Sequence, residues 1–246
     1  MAAEVVLVHG SMLGAWCWEQ TVAELATLGT VAVAVDLPGH GDDDTLRENI
    51  SGADYVRALI RHLDGADAPV VLVGHSMAGY AIAAAALHRP GKVRHLVYLS
   101  AQARSVGQSW ADTLDPAIRA TYEREAAERQ DGTYVVPEPV VTSRWLSSLD
   151  PHSPTVQAIR ARLTPQPVGP LCEPWDLPTG SLSKFPVTYI WPEGDRQNTE
   201  RRMRMSLSNL PAETRLITIR GDHCVMLTNP QAAAAAINAI AAGYRN

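Results

Sequence analysis

Six short runs rich in Val, Ile and Leu, at residues 5–8, 31–35, 70–73, 96–99, 187–191 and 215–219, are apolar at nearly every position. A strand with one wet face alternates polar and apolar residues. A strand that is apolar throughout has both faces covered, which is the condition of central parallel strands packed under helices. The segments between the runs, at 16–28, 54–63, 77–89, 198–207 and 231–244, have the length and apolar spacing of crossover helices. Pro90-Gly91 ends the third, and Pro230 suits the first turn of the last. The chain reads as α/β, with a mostly parallel central sheet flanked by helices. Its 246 residues suit one domain, 1–246, because single α/β domains often outgrow the usual ~100–200 residues.

The alternation stops between residues 105 and 183. No run there reads as a core strand, Pro is frequent, and Trp110, Tyr122, Trp145 and Trp175 are spread through it. A structureless loop of that length is uncommon in a compact domain. The periodic pieces at 116–130 and 154–163 predict instead a mainly helical lid, inserted after the fourth strand. It should lie above the C-terminal edge of the sheet, where open α/β sheets bind their ligands.

Composition removes several classes of function. With 46% hydrophobic and 19% charged residues the chain is globular rather than disordered. A net charge of −5 provides no basic face for nucleic acid, and the cluster Arg201-Arg202-Met203-Arg204 reads as a solvated helix face. The longest apolar stretches, Ala-rich at 81–87 and 232–240, fall well short of the ~20 residues of a membrane span. The N-terminus enters a strand with no leader-like segment, so a cytoplasmic location is expected. Cys17, Cys172 and Cys224 are an odd number without metal-ligand spacing, so neither a disulfide framework nor a metal site is expected.

The run at 70–73 leads into Gly74-His75-Ser76-Met77-Ala78-Gly79 and then an Ala-rich helix. Strand, sharp turn and helix are the context in which a G-x-S-x-G elbow exposes a serine hydroxyl. Ala78 occupies the fifth position, a departure of one methyl, and Gly79 follows directly. A serine hydroxyl needs a base to become nucleophilic, and the base needs a third group to hold its tautomer. His223, in Gly221-Asp222-His223-Cys224 after the last strand, is the expected base; Asp195, after the run at 187–191, is the expected acid. Asp222 and Glu193 are weaker rivals for that role. The order Ser76, Asp195, His223 is the chain order of α/β-hydrolases. In that topology the oxyanion donors are the N–H groups of Ser11, in the loop after the first strand, and Met77, after the serine. His75 should pack within the elbow, and His40, His62, His88, His95 and His152 should be surface or structural.

Val8-His9-Gly10-Ser11, Gly14-Ala15-Trp16-Cys17-Trp18, the elbow, and Gly221-Asp222-His223-Cys224-Val225-Met226-Leu227 together resemble the plant methylesterase and hydroxynitrile lyase group of α/β-hydrolases. The resemblance spans the predicted sheet and is poor across the lid. It implies the α/β-hydrolase fold and one of two chemistries. The group's lyases have Thr where this chain has Gly10, and Lys after the histidine where this chain has Cys224. A cation there stabilises departing cyanide and a neutral thiol does not, so the resemblance favours ester hydrolysis.

The expected activity is a serine carboxylesterase that cleaves a small-alkyl ester, methyl in particular, of a bulky or aromatic acid, without a cofactor, in bacterial secondary metabolism. Its partner is the small-molecule ester; neither nucleic acid nor membrane is expected, and a homodimer is left open. One alternative keeps the site for ring opening, cyclisation or C–C cleavage of a natural product. Another, from a different class, is a ligand-binding receptor with a slow triad.

Overall fold

The computed structural model describes residues 4–114, 116–174, 176–177 and 180–245. Along the chain it lays down β1 (Val5–Val8), β2 (Ala32–Val35), β3 (Val70–His75) and β4 (Val93–Leu99), then the short β5 (Thr133–Tyr134) and β6 (Gln166–Pro167), and finally β7 (Val187–Pro192) and β8 (Arg215–Ile219). Among the described residues, six strands form one sheet in the order β2-β1-β3-β4-β7-β8, every neighbouring pair parallel. The two innermost N-terminal strands, β1 and β3, are buried along their whole length, as continuous apolar runs require. The α/β architecture expected from periodicity is the one observed.

The connecting helices are α1 (Glu19–Thr27), α2 (Gly52–Asp64) and α3 (Ala78–His88). Helix α2 starts at a capping box: Ser51 Oγ accepts the Asp54 N–H, and the Asp54 carboxylate accepts the Ser51 N–H at 2.9 Å. Caps of this kind are worth about 1 kcal/mol. Helix α3 has no polar face; residues 81–86, Ala except for Ile82, are all buried. A helix apolar all round belongs in the interior, and its small side chains let it lie close under the sheet.

Between β4 and β7 the chain forms α4 (Pro116–Arg129), α5 (Glu138–Val140), a π-helical turn at Val141–Trp145, α6 (Pro154–Ala161) and α7 (Gly169–Cys172). This segment also contains the antiparallel pair β5–β6, which the sequence does not announce. Two-residue strands with Gln-Pro as one partner carry no periodicity to detect. Trp175, one of the aromatics noted in this segment, lies outside the described residues. The chain closes with α8 (Glu200–Ser208), α9 (Val225–Thr228) and α10 (Pro230–Ala242). Among the described residues no helix is long and apolar enough to cross a membrane.

Strand β4 begins three residues before the apolar run that predicts it. Arg94 and His95 break the run in sequence, but Arg94 donates to Pro69 O and His95 Nε2 lies 2.8 Å from Thr188 Oγ1 on β7. Polar residues are kept in the ladder because partners are waiting for them.

Candidate active site

Ser76 sits where β3 meets α3, with φ at +53°. A side chain in this left-handed region is strained, and neighbouring backbone hydrogen bonds hold it there: Ser76 N donates to Leu99 O at 3.3 Å, and Ser76 O accepts from Gln102 N at 3.1 Å. The turn also needs a residue without a side chain at 79. A Cβ on Gly79 would collide with Gln102 O and come within 3.1 Å of the Tyr98 ring. The close approach thus falls one position after Ala78, whose methyl is buried in the elbow.

The loop after β8 brings His223 Nε2 to 3.2 Å from Ser76 Oγ, and His223 Nδ1 lies 3.0 Å from Asp195 Oδ2. Asp195 follows β7. Its Oδ1 accepts the N–H groups of Gln197 at 2.8 Å and Asn198 at 2.6 Å. Burial alone would raise this carboxyl. The facing His223 charge and hydrogen bonds from His223, Ser100 and Asn198 outweigh it and hold Asp195 below the usual carboxylate range. Asp222 is turned away: its carboxylate accepts from Ser148 N at 3.1 Å, Ser148 Oγ at 2.7 Å and Thr228 Oγ1 at 2.6 Å. Glu193 is exposed. Of the three acidic candidates, Asp195 is the one that meets the imidazole.

His75 is buried beneath the site, its Nε2 donating to His223 O at 2.9 Å with the two rings 4.8 Å apart. Burial pushes His75 well below the ordinary histidine range, so it stays neutral. His9 Nε2 accepts Leu37 N at 3.0 Å. Of the other histidines, His62, His88 and His152 are exposed and His95 is partly buried, whereas His40 is fully buried between Tyr55 and Thr164.

Met77 is the N-cap of α3, so its N–H lies at the positive end of an 11-residue helix. Ser11 lies in the loop after β1, and its hydroxyl is 3.1 Å from the Tyr134 hydroxyl on β5. The next residue, Met12, has φ at +61°; its N–H is accepted by Gln166 Oε1 at 3.1 Å, and its carbonyl accepts Thr164 N at 2.9 Å. Trp145 reaches the other side of the site, accepting Cys224 N at 3.1 Å, with its ring 6.2 Å from that of His223. Trp110, Tyr122 and Tyr134 pack against one another and, with Leu114 and Leu171, line a cavity of about 260 Å³.

Sequence reasoning missed Ser100, Tyr134 and Gln166. Ser100 directly follows β4, beside the elbow's own strand, and that position was a readable signal because sites gather at this edge. Tyr134 and Gln166 reach the loop across 123 and 154 residues of chain, with no local pattern to mark them. Cys17 and Cys224 are buried and Cys172 is exposed; all three are free. Among the described residues no group of three or more His, Cys, Asp or Glu side chains is placed to hold a metal ion.

The model of the Alpha/beta hydrolase family matches residues 5–236. Over 241 residues the chain is 27% identical to Putative methylesterase 12, chloroplastic, of Arabidopsis thaliana, covering 92% of this chain and 68% of that one. It is likewise 27% identical to Esterase PIR7B of Oryza sativa subsp. japonica, over 92% and 91% of the two chains. An extracellular alpha/beta-hydrolase from a Paenibacillus species, described as sharing structural and functional homology with tobacco salicylic acid binding protein 2, superposes with a TM-score of 0.86 at 25% identity, covering 96% and 97%.

Proposed function

Because this chain belongs to the alpha/beta hydrolase family and aligns with plant methylesterases over most of its length, we propose that it is a serine carboxylesterase acting through Ser76, His223 and Asp195. The observation that carries this reading is the unbroken line from Ser76 Oγ through His223 to Asp195, with contacts of 3.2 and 3.0 Å, built on a serine with positive φ.

The steps follow from the geometry. Asp195 accepts the His223 Nδ1 proton, leaving Nε2 free to take the proton of Ser76 as its oxygen attacks the ester carbonyl. The developing oxyanion is held by the N–H groups of Ser11 and Met77, the latter reinforced by the N-terminus of α3. Donors of this kind are worth about 3–4 kcal/mol each. His223 then gives its proton to the departing alcohol, and a water activated by the same nitrogen releases the acid. None of these steps requires a cofactor.

Two positions support hydrolysis over cyanohydrin cleavage. A Cβ at Gly10 would lie 2.6 Å from His75 Nδ1 and 3.0 Å from Ser76 Cβ, so this backbone has no room there for threonine. Beside the base, Cys224 is 1% exposed and burial raises its thiol well above the ordinary range. A neutral thiol offers nothing to a departing cyanide.

For the substrate we read a small-alkyl ester, methyl foremost, of an aromatic or bulky acid, in bacterial secondary metabolism. The methylesterase relatives support the alcohol portion, and the support for an aromatic or bulky acid is the cluster of Trp110, Tyr122 and Tyr134, of which the Tyr134 hydroxyl lies 3.1 Å from Ser11 Oγ. A fluorophosphonate probe should label the wild type and not Ser76→Ala, and a panel of aromatic methyl esters should release methanol with the wild type alone. A folded wild-type protein that is neither labelled nor active on the panel refutes the reading.

A further inference from the structure

The inference here rests on the triad reading above: we infer that Ser100 is a positioning residue for the acid and base, its hydroxyl fixing the Nδ1–H tautomer of His223 and tempering the charge of Asp195. Ser100 is fully buried at the end of β4, and its Oγ donates to Asp195 Oδ2 while lying 3.2 Å from His223 Nδ1. Its backbone has φ at +45°, a conformation that disfavours an L side chain. Ser100 N donates to Ile190 O at 2.8 Å, so the backbone is anchored where a glycine would fit without strain. A strained, buried, hydroxyl-bearing residue on the acid–base pair calls for a functional account.

That account follows from counting lone pairs. A buried carboxylate offers about four acceptor positions. Two on Asp195 Oδ1 are taken by backbone N–H groups, and two on Oδ2 by Ser100 and His223. With its proton committed to Asp195, the Ser100 oxygen turns a lone pair toward Nδ1. The imidazole proton is thereby kept on Nδ1, and Nε2 faces Ser76 as an acceptor.

Removing the hydroxyl has two opposed effects. Loss of the long contact to Nδ1 disfavours the imidazolium; loss of the donor on Oδ2 leaves a more basic carboxylate that favours it. The Nδ1–H is directed at Asp195 Oδ2 at 3.0 Å and leaves Ser100 Oγ, at 3.2 Å, only the weaker arm of a shared proton, whereas the Ser100 O–H is committed wholly to the carboxylate, so the second effect wins. Other charged or titratable groups packed around the pair do not compete. His75 from β3 is held neutral by burial, and burial raises the Tyr189 hydroxyl on β7 and the Cys224 thiol. Arg202 on α8, which faces Asp195 electrostatically, stays a cation in wild type and variants alike and so cancels from the difference, and Asp222 is occupied by Ser148 and Thr228.

The test is the pH dependence of kcat/KM for p-nitrophenyl acetate, with histidine NMR titration of the substrate-free protein. In Ser100→Ala and Ser100→Gly the acid limb and the His223 titration should both move up by about 0.5–1 pH unit, with a roughly 3–10-fold fall in kcat and little change in KM. Ser100→Thr, which restores the hydroxyl on a more strained backbone, should lower Tm yet return the acid limb to its wild-type position. Stability and pH profile then separate, which a merely structural role does not produce. An unmoved His223 titration in folded Ser100→Ala and Ser100→Gly overturns the assignment. Absence of wild-type turnover would instead overturn the esterase reading, and the titration would still decide the role of Ser100.

Discussion

Gln166 Oε1 accepts the N–H of Met12 at 3.1 Å, so a residue inserted between β4 and β7 holds the loop that carries Ser11, the proposed oxyanion donor. The same amide donates to the Tyr55 hydroxyl at 3.1 Å, and that hydroxyl is 2.8 Å from His40 Nε2. A buried chain of hydrogen bonds therefore runs from α2 through the insertion to the site.

Gln166→Leu should expose this dependence. It strands the buried Met12 N–H, at a cost of about 1–3 kcal/mol, leaves the Tyr55 hydroxyl with His40 as its remaining partner, and lets the Met12 turn relax. Tm should fall by several degrees and kcat should drop more than KM rises, because the oxyanion donor acts in the transition state. Thermal melts and steady-state kinetics on one ester decide it; a fall in Tm with unchanged kcat would confine Gln166 to stability.

Asp195→Asn should be nearly inactive while folded. Oδ1 is pinned by two backbone N–H groups, so the new amide must place its carbonyl there and its nitrogen toward His223. The imidazole proton then shifts to Nε2, facing Ser76, and the base is lost. A fall of about 10⁴-fold in kcat is expected for this wrong tautomer, checked by kinetics alongside an unchanged circular dichroism spectrum.

Gly10→Ala tests the packing under the nucleophile. The added carbon meets His75 Nδ1 at 2.6 Å and Ser76 Cβ at 3.0 Å, and overpacking of this sort costs about 1–3 kcal/mol. The variant should melt lower and label more slowly with a fluorophosphonate. Labelling at the wild-type rate would show that the loop yields without moving Ser76.

Acid should destabilise the fold from near neutrality downward. Burial lowers His9 to about 4, and pushes His40 and His75 well below the ordinary value. Each is neutral in the fold and protonates near 6.5 when unfolded, so the unfolded state binds more protons as pH falls. The stability these groups contribute is complete above about 6.5 and is lost at up to about 1.4 kcal/mol per pH unit for each. Asp195 has the same sign lower down: its depressed value adds stability that disappears only as pH falls through it. A Tm constant from pH 7.5 to 4.5 would contradict this account.

The inner strands of the sheet were legible because they are covered on both faces and therefore written as nearly unbroken apolar runs, whereas the edge strand β2, partly exposed, followed from its Ala-Val run alone. The core of β1, β3, β7 and the buried part of β4 can be read directly from Val, Leu and Ile. The edge strand β8 also followed from its β-branched residues, although it is partly exposed. The insertion was legible where a helix is amphipathic, as in α6, or made mostly of Ala, Arg and Glu, strong helix formers, as in α4; the pair β5–β6 is too short to show a period. In the site, Ser76 announced itself through strand, turn and helix, and His223 and Asp195 through their places after strands.

The sequence by itself determined a parallel α/β sheet, a serine at its sharpest turn, and the order of the groups beside it, because these features rest on local periodicity and chain position. In the structure the imidazole meets Asp195, the acid that its place after β7 had favoured, and tertiary structure alone decided that Gly10 must lack a side chain and that Ser100, Tyr134 and Gln166 lie at the site. Those outcomes depend on which groups burial leaves without water. A buried carboxylate, N–H or hydroxyl must find its partner in protein, and that partner comes from whichever strand or inserted segment the fold brings alongside.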